Sequence, residues 1–195
     1  DDWKNREYDF SVIRKTMLGW DITDFGSNDF KRMGTVLFTI RNGSQQDASI
    51  GTPYAEKLLF VLDGQRLPLH CHLVKTEDII NRGGGSMFMR LYRSAPDGSV
   101  DCENDVEYYS DGVKRKAKAG QEIIVTRGNS VTLAPGVYHS FGAVAGAGDL
   151  IGWEVSSVND DHTDNVFAEK VSRFAEIEED EQPVHLLCNE YGKYF

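Results

Sequence analysis

Cysteine is scarce in this chain. Cys71, Cys102 and Cys188 are its three, an odd count at irregular spacing that builds neither a disulfide framework nor a zinc-knuckle pattern. Reduced thiols in a cytoplasmic protein are the expectation. Long apolar runs are missing as well, since nothing approaches the roughly 20 apolar residues that span a bilayer, so no membrane partner is expected. Positive charge is in deficit: 21 Lys and Arg stand against 31 Asp and Glu, a net charge of −10 that argues against nucleic acid or an anionic membrane surface. No signal-peptide pattern is visible, although the opening DDWKNREYDF lacks Met and leaves room for residues upstream. Internal repeats and low-complexity segments are lacking too.

What remains is a 195-residue globular composition, 40% hydrophobic, long enough to bury one core without disulfide staples. A helical pattern around Ser11 to Leu18 and the aromatic, acidic turn GWDITDFGSNDF precede TVLFTIRNG, a β-rich run closed by Asn42-Gly43. Further strands are expected near 56–63, 67–74, 86–93, 121–126, 131–133, 138–144 and 149–157, with a lysine-edged hairpin in DVEYYSDGVKRKAKAG. Short strands punctuated by Asp-Gly, Gly-Asn and Pro-Gly predict a sandwich or barrel. Past residue 160 the period changes: Phe167, Val171, Phe174 and Ala175 in TDNVFAEKVSRFAEI predict an amphipathic helix, with Thr163 or Asp164 as its N-cap. EIEEDEQP reads as a solvated helix end and linker, and VHLLCNEYGKYF as a tail apolar enough to dock. One domain over 1–195 is expected, with a core at about 35–157, an N-terminal flank at 1–34 and a helix and tail at 158–195.

The chemistry concentrates in LPLHCHLVKTEDIINRGGG, residues 67–85. On a strand His70 and His72 share a face and Cys71 points away. Glu77 lies at the wrong parity to join them, so a turn or bulge in LVKT has to intervene. In LAPGVYHSFG a tight turn delivers His139 from another strand. Three imidazoles and a carboxylate make a site for Mn, Fe, Co, Ni or Zn rather than Mg or Ca. His162 and His185 read as solvated or packed, GGGS as an inter-strand connection without the lysine of a phosphate loop, and Met87 and Met89 as strand packing.

GQRLPLHCHLVKTEDIINRG resembles the first cupin motif, and GNSVTLAPGVYHSF is similar to the second, with Pro135-Gly136 where that motif has proline-x-glycine. The resemblance implies a mainly β, cupin-type barrel with a metal in its mouth and flanking N- and C-terminal helices. GWDITDFG, LFTIRNG, PYAEK, HCHLVKTEDIINRGGG and EVSSVNDDHTDNVF together resemble the D-lyxose isomerase family of cupins over about residues 18–170, apart from Cys71 and Leu73, where bulkier aromatic residues are the family expectation. That implies a metal-dependent aldose–ketose isomerase on unphosphorylated sugars, D-lyxose to D-xylulose or D-mannose to D-fructose. The nitrogen-rich yet carboxylate-containing ligand set favours Mn or Co, Mn first, and a barrel with long flanking elements and a docking tail is expected to pair as a homodimer.

Moving a proton between adjacent carbons requires a base and charge control on two oxygens. Glu154, on a strand where an ionised carboxylate must be paired or used, is the candidate base. Lys57 and Lys75 are candidate cations for sugar oxygens, and Asp161 and Asp164 candidates for sugar hydroxyls. The same ligand set also suits a non-haem iron dioxygenase, a sugar-binding cupin without turnover, or a cupin phosphoglucose isomerase. Oxygen consumption would mark the first, binding without turnover the second, and a cationic Ser/Thr/Lys/Arg cluster at the mouth the third.

Overall fold

The computed structural model describes residues 9–194. After the five-residue helix α1 (Ser11–Lys15), the strands run β1 (Gly19–Thr23), β2 (Thr35–Gly43), β3 (Gly51–Val61), β4 (His70–His72), β5 (Glu77–Gly84), β6 (Met87–Ser94) and β7 (Val100–Asp101). They continue as β8 (Val106–Ser110), β9 (Val113–Ala117), β10 (Glu122–Val125), β11 (Ser130–Leu133), β12 (Tyr138–Ala143), β13 (Leu150–Ser157) and β14 (Asn165–Phe167), before the four-residue α2 (Tyr191–Tyr194). Eight strands form one sheet in the order β1-β2-β3-β13-β5-β11-β8-β9, and β10-β6-β12-β4-β14 form the other. The two inner faces enclose the core, a cupin-type arrangement.

Strand alternation sorts the side chains. Along β3, Ala55, Lys57, Leu59 and Val61 are buried inward while Tyr54 and Phe60 are exposed, and along β13 Leu150, Gly152, Glu154 and Ser156 are buried while Ile151 and Val155 are exposed. The inner face therefore changes character along the strands. Leu59, Val61, Leu150, Met87 and Met89 fill one end of the barrel with apolar volume, and Lys57, Glu154 and Ser156 line the other. Register places Lys57 directly opposite Glu154, so the two charges that the parity of DLIGWEVSS turns inward meet as a cross-strand pair.

The expected C-terminal amphipathic helix does not form. Asn165, Val166 and Phe167 instead pair with His72, Cys71 and His70 as β14 on β4. Asp164 caps no helix; its carboxylate accepts the backbone N–H groups of Leu73 at 2.9 Å, Val74 at 2.7 Å and Lys75 at 3.1 Å. Sheet pairing and three charge-assisted bonds outweigh a helical apolar spacing that is worth only tenths of a kcal/mol per residue, on the order of 0.5. Among the described residues the flanking helices are thus only α1 and α2, and both flanks add strands: β1, read as a turn from sequence, pairs with β2 in full register. The tail docks as expected, with Leu187 bridging to Trp20 and the Tyr191 hydroxyl donating to the Leu18 carbonyl at 2.7 Å. Residues 77–84, where the sequence reading places no strand, are the buried strand β5, joined on both sides to β13 and β11.

Candidate active site

The three histidines come from one sheet. His70 and His139 are direct partners on β4 and β12, and alternation places His72 on the same inner face as His70. Their ligating nitrogens lie within 4.8 Å of one another. Cys71 points away and is buried beside Tyr138 and Ser94. Glu77 opens β5 in the other sheet, after the loop Leu73–Thr76 has carried the chain across; this crossing is the turn that its parity demanded. Its Oε1 stands 2.9 Å from His139 Nε2 and 3.2 Å from His72 Nε2.

Tautomers follow from the carbonyls. His70 Nδ1 lies 2.9 Å from the Pro68 oxygen and His139 Nδ1 3.0 Å from the Val137 oxygen. A carbonyl only accepts, so Nδ1 carries the hydrogen and Nε2 presents a lone pair. Burial also holds the His70 imidazole well below its ordinary pKa and lowers that of His72. Burial alone would raise the Glu77 carboxyl, but Lys75 and His72 beside it hold it well below the usual range. The His139 lone pair thus points at a carboxylate oxygen, and both ring nitrogens of His72, His139 Nε2 and Glu77 Oε1 are buried without any hydrogen-bond partner. Such a set is costly unless a cation takes it up, and its chemistry fits a divalent transition metal.

Around it lies a charge network. Lys75 Nζ holds Glu77 at 2.8 Å and Glu154 at 2.9 Å, with Asn159 accepting at 3.2 Å. Lys57 Nζ stands 3.7 Å from both Glu154 and Asp161. Burial would raise the Glu154 carboxyl, yet Lys57 and Lys75 bring it below its ordinary value, so it is ionised at neutral pH. All its named contacts, including Ser156 Oγ at 3.2 Å, fall on Oε1.

Two members were not visible in the sequence. Arg173, largely buried, bridges Asp21 and Asp161 at 2.8 Å each. The alternation Trp20, Asp21, Ile22, Thr23 was the available signal for Asp21, because an acid at an inward strand position needs a partner. Arg173 gave none, sitting in a segment whose spacing mimicked a helix. Altogether Asp21, Glu77, Glu154 and Asp161 face Lys57, Lys75 and Arg173, one negative charge in excess, which again favours a bound cation.

The histidines, Glu77, Glu154, Lys57, Lys75, Asp161 and Arg173 stand together at the mouth. A cavity of about 40 Å³ reaches most of them and is also lined by Phe25 and Phe167. Asp164 stands apart, its oxygens committed to the loop amides. His162 packs on Phe174 and His185 is exposed, both away from the cluster.

At the mouth of this cupin-type barrel, three imidazoles that could hold a metal ion stand beside buried carboxylates. The chain belongs to the D-lyxose isomerase family, whose model matches residues 1–191. It is 45% identical over 177 residues to the D-lyxose/D-mannose isomerase of Escherichia coli O157:H7, covering 91% of this chain and 78% of that protein. To the enzyme of the same name from Serratia proteamaculans it is 44% identical, over 91% of this chain and 77% of that one. Among solved structures, L-ribose isomerase of Cellulomonas parahominis with L-ribose superposes at a TM-score of 0.57 and 17% identity, covering 87% and 88% of the two chains. L-ribose isomerase of Acinetobacter sp. DL28 with L-ribose superposes at 0.55 and 17% identity over 86% of each. These last two likenesses show the fold. The reaction class is aldose–ketose isomerisation of a sugar, and the dioxygenase and non-catalytic readings fall away.

Proposed function

We propose that the protein interconverts D-lyxose with D-xylulose and D-mannose with D-fructose as free sugars, using a divalent metal, Mn first, held by His70, His72, Glu77 and His139. The convergence of buried, unpartnered His72 and His139 Nε2 atoms on Glu77 Oε1, beside an ionised Glu154, carries this reading. D-lyxose and D-mannose share their C2 configuration, and the curated relatives carry both sugars in their name. An unphosphorylated substrate is favoured because each lysine or arginine lining the cavity is already paired: Lys57 with Glu154 and Asp161, Lys75 with Glu77 and Glu154, Arg173 with Asp21 and Asp161.

When bound, the metal supplies Lewis acidity that polarises the sugar carbonyl and acidifies the neighbouring C–H. Glu154 Oε2 takes the proton from C2 of the aldose and returns it to C1. Lys57 donates to the adjacent oxygen as negative charge grows on it. Lys75, with its hydrogen bonds spent on Glu77, Glu154 and Asn159, holds those two carboxylates in place. Asp161 and Arg173 bound the far side, where sugar hydroxyls find both acceptor and donors, and Asp164 acts through the loop it ties. Three free cysteines suit a reducing compartment, the cytoplasm, and the working assembly is a homodimer.

The test is an NMR assay of metal-reconstituted protein against free pentoses, free hexoses and their phosphates. Ketose formation from D-lyxose or D-mannose is expected. A marked preference for the phosphates would move the protein to another isomerase class, and full turnover after thorough metal removal would end the metal assignment.

A further inference from the structure

Asn42-Gly43 is a turn dipeptide by composition, yet it makes no turn here. Both residues lie buried at the end of β2. Gly43 pairs with Gly51 of β3, where a Cβ would collide with the Thr52 carbonyl oxygen, so close approach of two strands accounts for the glycine. The asparagine has another cause. Register passes from Thr39 opposite Lys57 to Arg41 opposite Glu56, so β2 advances two residues while β3 advances one. That bulge reverses parity. Arg41 joins Glu56 on the outer face, and Asn42 turns inward where alternation from Thr39 would have left it outside.

Inside, the Asn42 amide closes a two-bond ring with the backbone of Asn159. Its Nδ2–H donates to the Asn159 carbonyl at 2.9 Å, and its Oδ1 accepts the Asn159 N–H at 3.0 Å. The second Nδ2 hydrogen goes to the Thr16 carbonyl at 3.2 Å, at the end of α1. Asn159 lies in no helix or strand, so this ring supplies the constraint that a sheet would otherwise give. The side chain it fixes accepts from Lys75 Nζ at 3.2 Å, while the same ammonium holds Glu77 at 2.8 Å and Glu154 at 2.9 Å. An ammonium has three donors and no acceptor, and Lys75 is too deeply buried for water to replace a partner. The two carboxylates supply charge. The neutral amide supplies direction without a third negative charge to compete for the lysine.

We propose that Asn42 is a positioning residue of the isomerase: by holding Asn159 it aims Lys75, and through Lys75 it keeps the Glu154 carboxylate at the angle from which it reaches the sugar's proton. The proposal rests on the function proposed above and assigns a residue that itself touches none of Lys75, Glu77 and Glu154. A tie serving the fold alone could end on any residue; this one ends on the residue whose side chain faces Lys75. The segment also has other anchors, since Gln45 donates to the Val158 carbonyl at 3.2 Å and the Ser157 N–H to the Thr76 carbonyl at 3.0 Å. Cutting the Asn42 ring therefore loosens Asn159 without releasing the loop.

Steady-state kinetics on D-lyxose and D-mannose, with metal stoichiometry and a melting curve for each variant, test this. Asn42→Ala should lower kcat about 10–100-fold and leave KM within about 2-fold, as a misaligned base does, with metal content unchanged. Asn159→Ala, which keeps both backbone bonds and removes only the acceptor, should lose a similar amount. The combined variant should lose no more than the slower single one, because both act along one path. In metal-free protein carrying isotope-labelled lysine, the Lys75 ammonium protons, assigned by Lys75→Met, should exchange with solvent faster in both variants than in the wild type. An Asn42→Ala protein that melts lower but keeps wild-type kcat would make Asn42 a tie of the fold alone and overturn the proposal. Losses that multiply in the combined variant would overturn the path through Asn159. Should Asn42→Ala not fold, Asn159→Ala decides alone, and wild-type kcat there overturns the proposal. A wild type inert toward both sugars would overturn the proposed function and this role with it, whereas an active wild type with unmoved variants overturns only the role of Asn42.

Discussion

At the scale of the residue, Glu154 is the position on which the proposed chemistry turns. Glu154→Gln preserves shape and removes the base, and general-base catalysis is worth about 10²–10⁴-fold. A loss of kcat of that order with unchanged metal stoichiometry is expected, together with loss of C2 proton exchange in deuterated water; near-normal turnover would sink the role. Lys57→Met should lower kcat in the same direction and raise KM.

Asp161 shows what the buried ion pairs do for stability. Burial would raise its carboxyl, but Arg173 and Lys57 hold it well below its ordinary value. A carboxyl whose folded pKa is depressed stabilises fully above its unfolded value of about 3.9 and loses that contribution as pH falls toward the folded value. Thermal stability should therefore drop on acidification below about pH 4, and Asp161→Asn should flatten that part of the curve while lowering stability at neutral pH. Melting scans from neutral to acidic pH measure both.

At the scale of the element, the segment 164–173 is the least legible part of the chain and the one that closes the site. Its apolar spacing suited a helix, and nothing local revealed that Asp164 would bind the amides of a loop ninety-odd residues earlier. Asp164→Ala should remove those bonds, destabilise the fold by about 2–4 kcal/mol and lower metal content, since the loop delivers Glu77; urea unfolding and metal analysis report the two effects. Strand β5 was hidden for a different reason. Each of its faces carries an acid, an isoleucine and a polar residue in turn (Glu77, Ile79, Asn81 inward and Asp78, Ile80, Arg82 outward), so the sequence reads in like pairs and no alternation shows. By contrast DLIGWEVSS could be read, because small and polar residues on one face stand against Ile151, Trp153 and Val155 on the other. The histidine pattern could be read because strand parity is its whole geometry.

The same segment lines the cavity through Asn165, Phe167 and Arg173. A cavity of about 40 Å³ admits about three waters, far short of a sugar. The Arg66–Glu169 pair, bidentate at 2.8 Å, joins the β14–β4 pairing and the Arg173 ion pairs in holding 165–173 at the mouth. Glu169→Ala should speed amide hydrogen exchange across 165–173 and leave the barrel strands protected. Unchanged exchange there would mean that the sugar enters by another route.

At the scale of the whole molecule, the ligand set joins the two sheets: His70, His72 and His139 on one and Glu77 on the other. Occupancy of that site stabilises the folded state alone, by about 2.7 kcal/mol at a metal concentration of 100 Kd. Chelation should lower Tm, and Mn or Co should restore it, with melts at graded metal concentrations giving the dependence.

That division between sheets also bears on how the protein comes by its metal in the cell. A ribosome releases the chain from its N-terminus, so the His-x-His segment and Glu77 emerge while His139 and the strands β12 and β13 are still unmade. Any ion caught by the early histidines meets two imidazoles on a nascent, unfolded chain, where affinity follows the general order for divalent metals, with copper ahead of manganese. Only the closed barrel can impose another preference. For the metal site proposed above, the choice of ion therefore falls to the closed barrel rather than to the emerging chain.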